Sequence, residues 1–280
     1  MILIADSGST KTEWQLVKEG KPSGLIRTAG INPYYQDRKE ILNELETKLM
    51  PQLGDSPVSK LFFYGAGCGT EQQKNVITGI LRHFFPGSVI SVDSDILGAS
   101  RALFGKAEGI VCILGTGSGS CLFDGVTITD QIPSLGFILG DEGSGAWTGK
   151  KMITDYLRGD MPQQCIDIIS SEFDINKENI LKQVNHGSLP GSYLAKFARF
   201  ISDHTDRTYF FRLIYDSFAL FAEKYIIRYR NYEKMSCGFV GSVAWYNKTI
   251  LESVSKYYGF KINKVLKSPV EGLIKYHSED

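Results

Sequence analysis

Residues 1–18 read MILIADSGSTKTEWQLVK and place a run of small polar residues between two apolar segments. The first six residues are apolar enough for a buried strand, and residues 12–18 alternate as a second strand would. The residues between them, from Asp6 to Thr12, have the composition of a turn. The opening of the chain therefore predicts a β-hairpin with a polar, glycine-containing turn.

Residues 109–125, GIVCILGTGSGSCLFDG, repeat this organisation of strand, small-residue turn and strand. Between the two copies, periodicity predicts the order β-β-β-α-β-α-β-α, with helices at residues 37–50 and 71–84. The restart predicts two duplicated α/β domains, which we place at residues 1–105 and 106–266. We expect the last helix, about residues 267–280, to pack back on the first domain.

Residues 192–232 are rich in aromatic and aliphatic side chains and are predicted to be long and helical. Their phenylalanines could line a ligand groove. Because helical spacing already explains them, we interpret them as the core of the second domain.

Composition excludes several classes of function. The chain has 280 residues, 42% of them hydrophobic and 22% charged, which is typical of a folded globular protein. Its 31 basic and 31 acidic residues balance, so no electrostatic signature of nucleic-acid or membrane binding is present. No apolar run reaches the roughly 20 residues of a membrane helix, and the N-terminus does not resemble a signal peptide.

The five cysteines are odd in number and form no CxxC pair, which argues against disulfides and zinc. Cys112 and Cys121 lie in apolar runs and are expected to be buried free thiols, whereas Cys68 is expected to be exposed. Free thiols are typical of the reducing cytoplasm, which is the expected location.

The first turn has the chemistry of a phosphate-binding loop. Small residues let backbone N–H groups point at an anion, and Gly8 can take the strained torsions that a tight turn needs. Ser9, Thr10 and Lys11 add hydroxyl and cationic donors. Asp6 ends the strand, where its carboxylate can hold the hydration shell of Mg²⁺. An ordinary polar hairpin turn remains the alternative.

The second turn, Gly115-Thr116-Gly117-Ser118-Gly119-Ser120, alternates glycine with hydroxyl residues directly after an apolar strand. Two such loops, one per domain, could hold one polyphosphate from both sides. Neither is a Walker A loop, because GxxxxGK[ST] is absent, and neither is a Rossmann fingerprint, because a strand follows each. ATP with Mg²⁺ is the expected cofactor pair.

These motifs resemble those of the acetate and sugar kinase/Hsp70/actin superfamily. DSGSTKTEW is similar to its first phosphate motif, with serines at two positions where glycine is usual. LGTGSGS is similar to the second phosphate motif, and FVGSV to the adenosine motif. GDEGSGAW narrows the resemblance to the BadF/BadG-type ATPase and N-acetylglucosamine kinase family. It implies two ribonuclease H-like domains of the actin/hexokinase/Hsp70 type with an interdomain cleft, and a homodimer.

The resemblance also implies roles for individual residues. Thr10 and Thr116 match positions near the nucleotide phosphates. The positions that match the stretch along the nucleotide are Gly241, Ser242 and Tyr246. Those that match sugar contacts are Asn32, Gly136 and Asp141, and Asp95 matches the catalytic aspartate, which also touches the sugar.

The position of Asp95 in the sequence also makes it a candidate general base. It follows an apolar strand and precedes a helix, so it lies at the strand edge where α/β ligands bind. A carboxylate there can accept the proton of a sugar hydroxyl during phosphoryl transfer. Asp95 could instead only cap its helix. Asp93, two residues earlier on the same face of the strand, ranks second.

Two of the implied sugar contacts have simpler explanations. Asp141 and Glu142 could only complement the dipole of the helix that follows them. Asn32 precedes Pro33 and could be a plain turn residue.

The favoured function is therefore an ATP-dependent kinase for the 6-hydroxyl of N-acetylglucosamine. Glucosamine is an alternative substrate. A BadF-type activator ATPase is the main competing function, but such proteins bind an iron–sulfur cluster through cysteines that have no match here. A sugar sensor without turnover is a third possibility. A zinc-containing ROK-type protein would need CxCGxxGC, which is absent.

Overall fold

The computed structural model describes residues 1–54 and 57–278 and confirms the α/β class. Its strands form two sheets of five. The first contains β1 Ile2–Ser7, β2 Lys11–Lys18, β3 Lys21–Ala29, β4 Lys60–Gly65 and β5 Val89–Ser94. The second contains β6 Gly109–Leu114, β7 Ser118–Phe123, β8 Ile128–Asp130, β9 Ser236–Val240 and β10 Lys261–Leu266.

The two sheets share one strand order. The first runs β3-β2-β1-β4-β5, and the second runs β8-β7-β6-β9-β10. In the first sheet, β1, β2 and β3 pair antiparallel, while β4 and β5 extend it in parallel from β1. In the second, β6, β9 and β10 are also parallel. The duplication expected from the two similar turns is therefore confirmed.

Helices connect and cover these sheets. The first unit contains α1 Arg38–Glu44, α2 Met50–Leu53, α3 Glu71–Phe84, α4 Asp95–Phe104 and α14 Val270–Ser278. The second contains α5 Gly136–Leu139, α6 Gly145–Arg158, α7 Gln163–Glu172, α8 Lys177–His186, α9 Pro190–Ala195, α10 Ala198–Asp203, α11 Thr208–Lys224, α12 Ser242–Tyr246 and α13 Lys248–Tyr258. No helix in the described part of the chain has the length and apolar character needed to cross a bilayer.

The order β-β-β-α-β-α-β-α is confirmed, but two helical predictions were too simple. The helix predicted at residues 37–50 contains a π-helical turn, Leu45–Leu49, between α1 and α2. The segment at residues 192–232 is divided into α9, α10, α11 and two 3₁₀ turns. Apolar periodicity identifies buried faces, but it does not reveal where a backbone hydrogen-bond ladder is interrupted.

The chain divides into two compact units. One covers residues 1–108, 123–129 and from 268 onwards, and the other covers residues 109–122 and 130–267. The predicted limits at residues 105 and 266 lie close to these divisions. In the first unit α14 packs on α4, where a Cβ added at Gly272 would lie 2.7 Å from Ala102 Cα.

Each unit has its own apolar core. The phenylalanine-rich region supplies the second core with buried rings, which confirms its structural interpretation: Phe197, Phe200, Phe210, Phe218 and Phe221. All five cysteines are buried, and none of them forms a disulfide. The expectation that Cys68 is exposed was wrong, because its side chain belongs to the core of the first unit.

Candidate active site

Three parallel strands of the first unit end at one edge of the sheet. Ser7, Gly65 and Ser94 are paired neighbours at the last positions of β1, β4 and β5. The chain segments that follow them therefore emerge together, as ligand-binding segments do in α/β folds. Those segments include the first phosphate loop and Asp95.

Asp95 is the first residue of α4, and Ser94 caps that helix. The Ser94 hydroxyl accepts a hydrogen bond from Leu97 N at 3.4 Å, so the capping role belongs to the neighbouring serine. Asp95 Oδ1 accepts from Ile96 N at 2.9 Å. No described cation forms an ion pair with Asp95, and burial raises the pKa of its carboxyl.

Asp6 shares this electrostatic environment. Its pKa is raised to about 7, mainly by burial and then by the charges of Asp95 and Glu13. Lys11 opposes the shift without cancelling it. The described residues contain no group of three side chains that could hold a metal. Mg²⁺ commonly uses only one or two carboxylates together with waters and phosphates, so two repelling carboxylates fit it.

Asp93 differs from Asp95 because it is neutralised by cations. One carboxylate oxygen lies 3.2 Å from Arg101 Nη1, and the other lies 3.3 Å from Lys74 Nζ. Arg101 also donates to the Tyr64 hydroxyl at 2.8 Å, and this hydroxyl is hydrogen-bonded to His277 of α14 at 2.8 Å. Asp93 therefore binds α3 and α4, and Arg101 links this pair to α14 through the Tyr64 hydroxyl.

The first phosphate loop is shaped by Gly30. Gly30 N donates to Thr10 O at 3.1 Å, and Gly8 N closes the hairpin by donating to Lys11 O at 3.0 Å. A Cβ at Gly30 would lie 2.6 Å from Ser9 C and 2.7 Å from Thr10 N. Gly8 itself has no positive φ, and a Cβ there would meet no atom closer than 3.8 Å. Gly8 therefore does not use the torsional freedom that glycine offers, and the close backbone approach occurs at Gly30.

Lys11 is occupied by a neighbouring carboxylate. Its Nζ lies 2.9 Å from Glu13 Oε1, which also lies 3.2 Å from Arg27 Nε. The Lys11 side chain is 65% exposed, so it can exchange this partner for another anion. Its contact with a phosphate stays a prediction.

The segment that contains Asn32 is fixed to the end of β1. The Ser7 hydroxyl accepts a hydrogen bond from Ile31 N at 3.0 Å. Asn32 is buried, and its Oδ1 accepts from Tyr34 N at 3.0 Å. Asn32 is therefore a turn residue, as its place before Pro33 suggested. Among the described residues no acceptor receives a hydrogen bond from its Nδ2, so that group can still donate to a ligand.

In the second unit, the start of α6 supports the second phosphate loop. Gly145 N donates to Gly115 O at 2.8 Å, and Ala146 N donates to Thr116 O at 3.0 Å. Gly115 N donates to Gly117 O at 3.0 Å within the loop. The first N–H groups of α6 therefore hold loop carbonyls.

Asp141 also contacts this loop. Its backbone has a φ of 60°, and its buried carboxylate accepts from Ser118 N at 3.2 Å. Burial raises the pKa of this carboxyl. Ser144 caps α6 by accepting from Trp147 N at 3.1 Å. Its contact with a sugar stays a prediction.

The segment predicted to lie along the nucleotide packs on the strand before the same loop. Gly241 has a φ of 126°, and a Cβ there would lie 2.6 Å from Leu114 C. Ser242 begins α12, and Tyr246 ends it. The Tyr246 ring lies 3.8 Å from Arg199 Cζ. Three motifs of the second unit thus come together: GTGSGS, GDEGS and FVGS.

Gly136 lies at the start of α5 with a φ of 70° and no atom within 4 Å of a Cβ position. The two residues that follow its neighbour, Ile138 and Leu139, are exposed. Gly140 N donates to Gly136 O at 2.8 Å, which closes this short turn. The sugar contact predicted for Gly136 also stays a prediction.

Sequence reasoning missed several residues that shape the first unit: Ser7, Gly30, Tyr34, Tyr64 and Arg101. Ser7 lay inside a recognised motif, where only the loss of a glycine was considered. Gly30 lay two residues before Asn32, and only that asparagine was singled out. No local pattern indicated the pairing of Arg101 with Asp93, because it depends on how α4 crosses β5.

No protein-family model matches this chain, and none of the curated proteins matches it. Among solved structures, a "putative N-acetylglucosamine kinase" from Porphyromonas gingivalis is 43% identical, with a TM-score of 0.96. The similarity covers 100% of this chain and 99% of that one.

More distant structures share the fold. A "putative N-acetylglucosamine kinase" from Chromobacterium violaceum is 14% identical over 98% of both chains, with a TM-score of 0.73. A ROK family glucokinase from Streptomyces griseus, solved with glucose and AMPPNP, is 13% identical with a TM-score of 0.55. That similarity covers 98% of this chain and 97% of the glucokinase.

These similarities confirm the two-domain sugar-kinase fold that the motifs predicted. The chain belongs to the family of the Porphyromonas gingivalis protein, within the superfamily of sugar kinases, Hsp70 and actin.

Proposed function

We propose that this protein is an ATP-dependent kinase that phosphorylates the 6-hydroxyl of N-acetylglucosamine. The sugar class is supported by the Porphyromonas gingivalis relative, which is described as a "putative N-acetylglucosamine kinase". The observation that carries the proposal is the state of Asp95. This carboxylate is half-buried at a strand edge, lacks an ion pair with any described cation, and has a raised pKa.

Such a carboxylate suits a general base. A raised pKa brings its proton affinity closer to neutral pH, where base catalysis is most effective. Asp95 accepts the proton of the 6-hydroxyl while the hydroxyl oxygen attacks the γ-phosphorus of ATP. A new O–P bond forms, the bond from the γ-phosphorus to the bridging oxygen breaks, and ADP leaves with that electron pair.

Asp6 would hold the water shell of Mg²⁺, which neutralises charge on the β- and γ-phosphates when bound. Asn32 Nδ2 donates to the sugar in this proposal, and Gly136 and Asp141 complete its binding. The remaining proposed contacts are to the nucleotide: Gly8, Ser9, Thr10, Lys11, Gly115, Thr116, Gly117, Ser118, Gly241, Ser242 and Tyr246.

The activator ATPase is disfavoured by the environment of Cys68. This thiol is buried, and burial together with the Asp95 charge raises its pKa to about 12. A metal cluster needs thiolates, so Cys68 is a poor ligand. It was the cysteine that the sequence left available for such a site.

The proposal is tested by ADP release over a panel of hexoses and amino sugars. We expect turnover with N-acetylglucosamine and a product whose phosphate is on O6 by ³¹P and ¹³C NMR. Asp95→Asn should reduce kcat by about 10²–10⁴-fold, as expected for loss of a general base. Asp93→Asn is the matched variant, and its kcat should fall much less because its carboxylate is held by cations.

Sugar-independent hydrolysis would favour the activator function, and preference for glucosamine would change the assigned substrate. Sugar binding without ADP release would identify a sensor. Equal kcat values for wild type and Asp95→Asn would remove Asp95 from the mechanism.

A further inference from the structure

Two adjacent tyrosines follow Asn32 and Pro33 in the first unit. Tyr34 is 59% exposed and Tyr35 is 70% exposed, although both are large aromatic side chains. The backbone N–H groups of the two tyrosines donate to different acceptors. Tyr34 N donates to Asn32 Oδ1 at 3.0 Å, whereas Tyr35 N donates to the backbone carbonyl of Asn32 at 3.1 Å.

An edge carbon of the Tyr34 ring lies next to Gly67. A Cβ added at Gly67 would be 3.0 Å from Tyr34 Cδ2 and 3.0 Å from Asn32 Cγ. The missing side chain at Gly67 thus leaves room that the ring and the amide share. Tyr34 Cδ2 and Asn32 Cγ are each 3.0 Å from this position, so the edge of the ring is next to the Asn32 side-chain amide.

Gly67 also connects this ring to the proposed base. It lies two residues after Gly65, the last residue of β4. Gly65 is paired with Ser94, and Ser94 precedes Asp95. The residue after Gly67 is Cys68. Burial raises the pKa of its thiol most, and the charge of Asp95 is the second cause. The ring of Tyr34 and the carboxylate of Asp95 therefore belong to one edge of the first sheet.

A pyranose presents hydroxyl groups around its rim and apolar C–H groups on its faces. Sites for such ligands combine a few polar groups with an aromatic surface. Asn32 Nδ2 and the Asp95 carboxylate offer the polar groups, and the exposed Tyr34 ring beside them offers the apolar surface.

We infer that Tyr34 determines affinity for the acceptor by packing its ring against the apolar face of the sugar. This inference rests on the proposed sugar-kinase function and adds a residue to it. Tyr35 is the matched control, because it is an exposed tyrosine of the same turn, and the ring atom found next to Gly67 belongs to Tyr34.

Steady-state kinetics test the inference. Tyr34→Ala should raise KM for N-acetylglucosamine by about 3- to 10-fold, as expected for loss of one aromatic contact, with KM for ATP unchanged. Tyr34→Phe keeps the ring and should stay close to wild type. Tyr35→Ala should also stay close to wild type. Equal sugar KM values for Tyr34→Ala and Tyr35→Ala, or equal losses for Tyr34→Phe and Tyr34→Ala, would overturn the inference.

Fluorescence provides a readout that does not depend on activity. In Tyr34→Trp, emission should change on titration with N-acetylglucosamine, and in Tyr35→Trp it should not change beyond the wild-type response. No sugar-dependent change in Tyr34→Trp would reject the inference. A wild-type enzyme that shows no sugar turnover would reject the proposed kinase, while an emission change specific to Tyr34→Trp would still support the sugar contact.

Discussion

Replacing Asp6 by asparagine should stabilise the ligand-free protein while removing its activity. Asp6 carries a pKa of about 7, because it is buried and faces the charge of Asp95. At neutral pH and above, this carboxylate is ionised in both states, and its ionisation costs more free energy in the folded chain than in the unfolded chain. Asparagine keeps the shape of the side chain and removes the charge.

The magnitude follows from the pKa shift. The ordinary value of 3.8 and the folded value of about 7 differ by roughly 3 units. At about 1.4 kcal/mol per unit, this corresponds to a limit of about 4 kcal/mol. Water reaches part of the half-buried carboxylate, so we expect about 2 kcal/mol.

The stability gain from Asp6→Asn depends on pH. Between the unfolded value of 3.8 and the folded value of about 7, the folded state keeps a proton that the unfolded state has released. The ionisation of Asp6 therefore lowers the stability of the wild type as pH rises through this window. Above the window, the contribution of Asp6 to stability no longer changes with pH. The advantage of Asp6→Asn should be close to zero near pH 4 and complete above about pH 7.

Urea unfolding without Mg²⁺, at about pH 4.5 and about pH 8, measures this difference. Asp124→Asn is the control, because hydrogen bonds from Thr127 N and Val126 N lower the pKa of that exposed carboxyl. That variant should gain no stability at either pH. An Asp6→Asn protein that is less stable than wild type at about pH 8, or equally shifted at both pH values, would refute the reasoning.

Two further predictions concern groups that hold the site in place. Gly30→Ala should lower stability by about 1–3 kcal/mol and raise KM for ATP by about tenfold, because its Cβ displaces the first phosphate loop. Gly87→Ala, where a Cβ meets no atom within 4 Å, should change neither in the same unfolding and kinetic assays. Arg101→Met should lower the free energy of unfolding by about 1–3 kcal/mol, because the Asp93 carboxylate loses one of its cationic partners. Adding Asp93→Asn should recover part of that loss in a denaturation-based double-mutant cycle, and strictly additive effects would contradict the pairing.

The fold could be predicted largely from two short segments. In each, an apolar strand, a turn of small residues and a second strand identify the start of a five-stranded unit. Local chemistry decides such hairpins, so residues 1–18 were enough to place β1 and β2. The π-helical turn Leu45–Leu49 could not be predicted, since its sequence keeps the same apolar spacing as the α-helix around it.

The candidate site could be predicted in its residue types but not in its pairings. Asp95, Asp93 and Asp6 were all identified as strand-end carboxylates. Their different environments depend on Arg101 and Lys74, which come from two helices that cross the same strand edge. The requirement for glycine at position 30 likewise depends on a loop 20 residues earlier in the chain. Long-range contacts of this kind leave no periodic signal in the sequence.

The distribution of cations, more than that of carboxylates, assigns the roles in the first unit. Asp93 has Arg101 of α4 and Lys74 of α3 within 3.3 Å, so its charge is neutralised in holding these two helices. Asp6 and Asp95 have no comparable partner among the described residues, and burial, followed by the charge of Asp95, raises the pKa of Asp6. An enzyme that must bind a divalent cation and accept a proton at one edge needs this separation, because a carboxylate already neutralised by arginine does neither well. Asp6→Asn is therefore expected to raise the stability of the ligand-free protein and to remove its activity. The carboxylate that repels Asp95 is the group needed to bind the ligand.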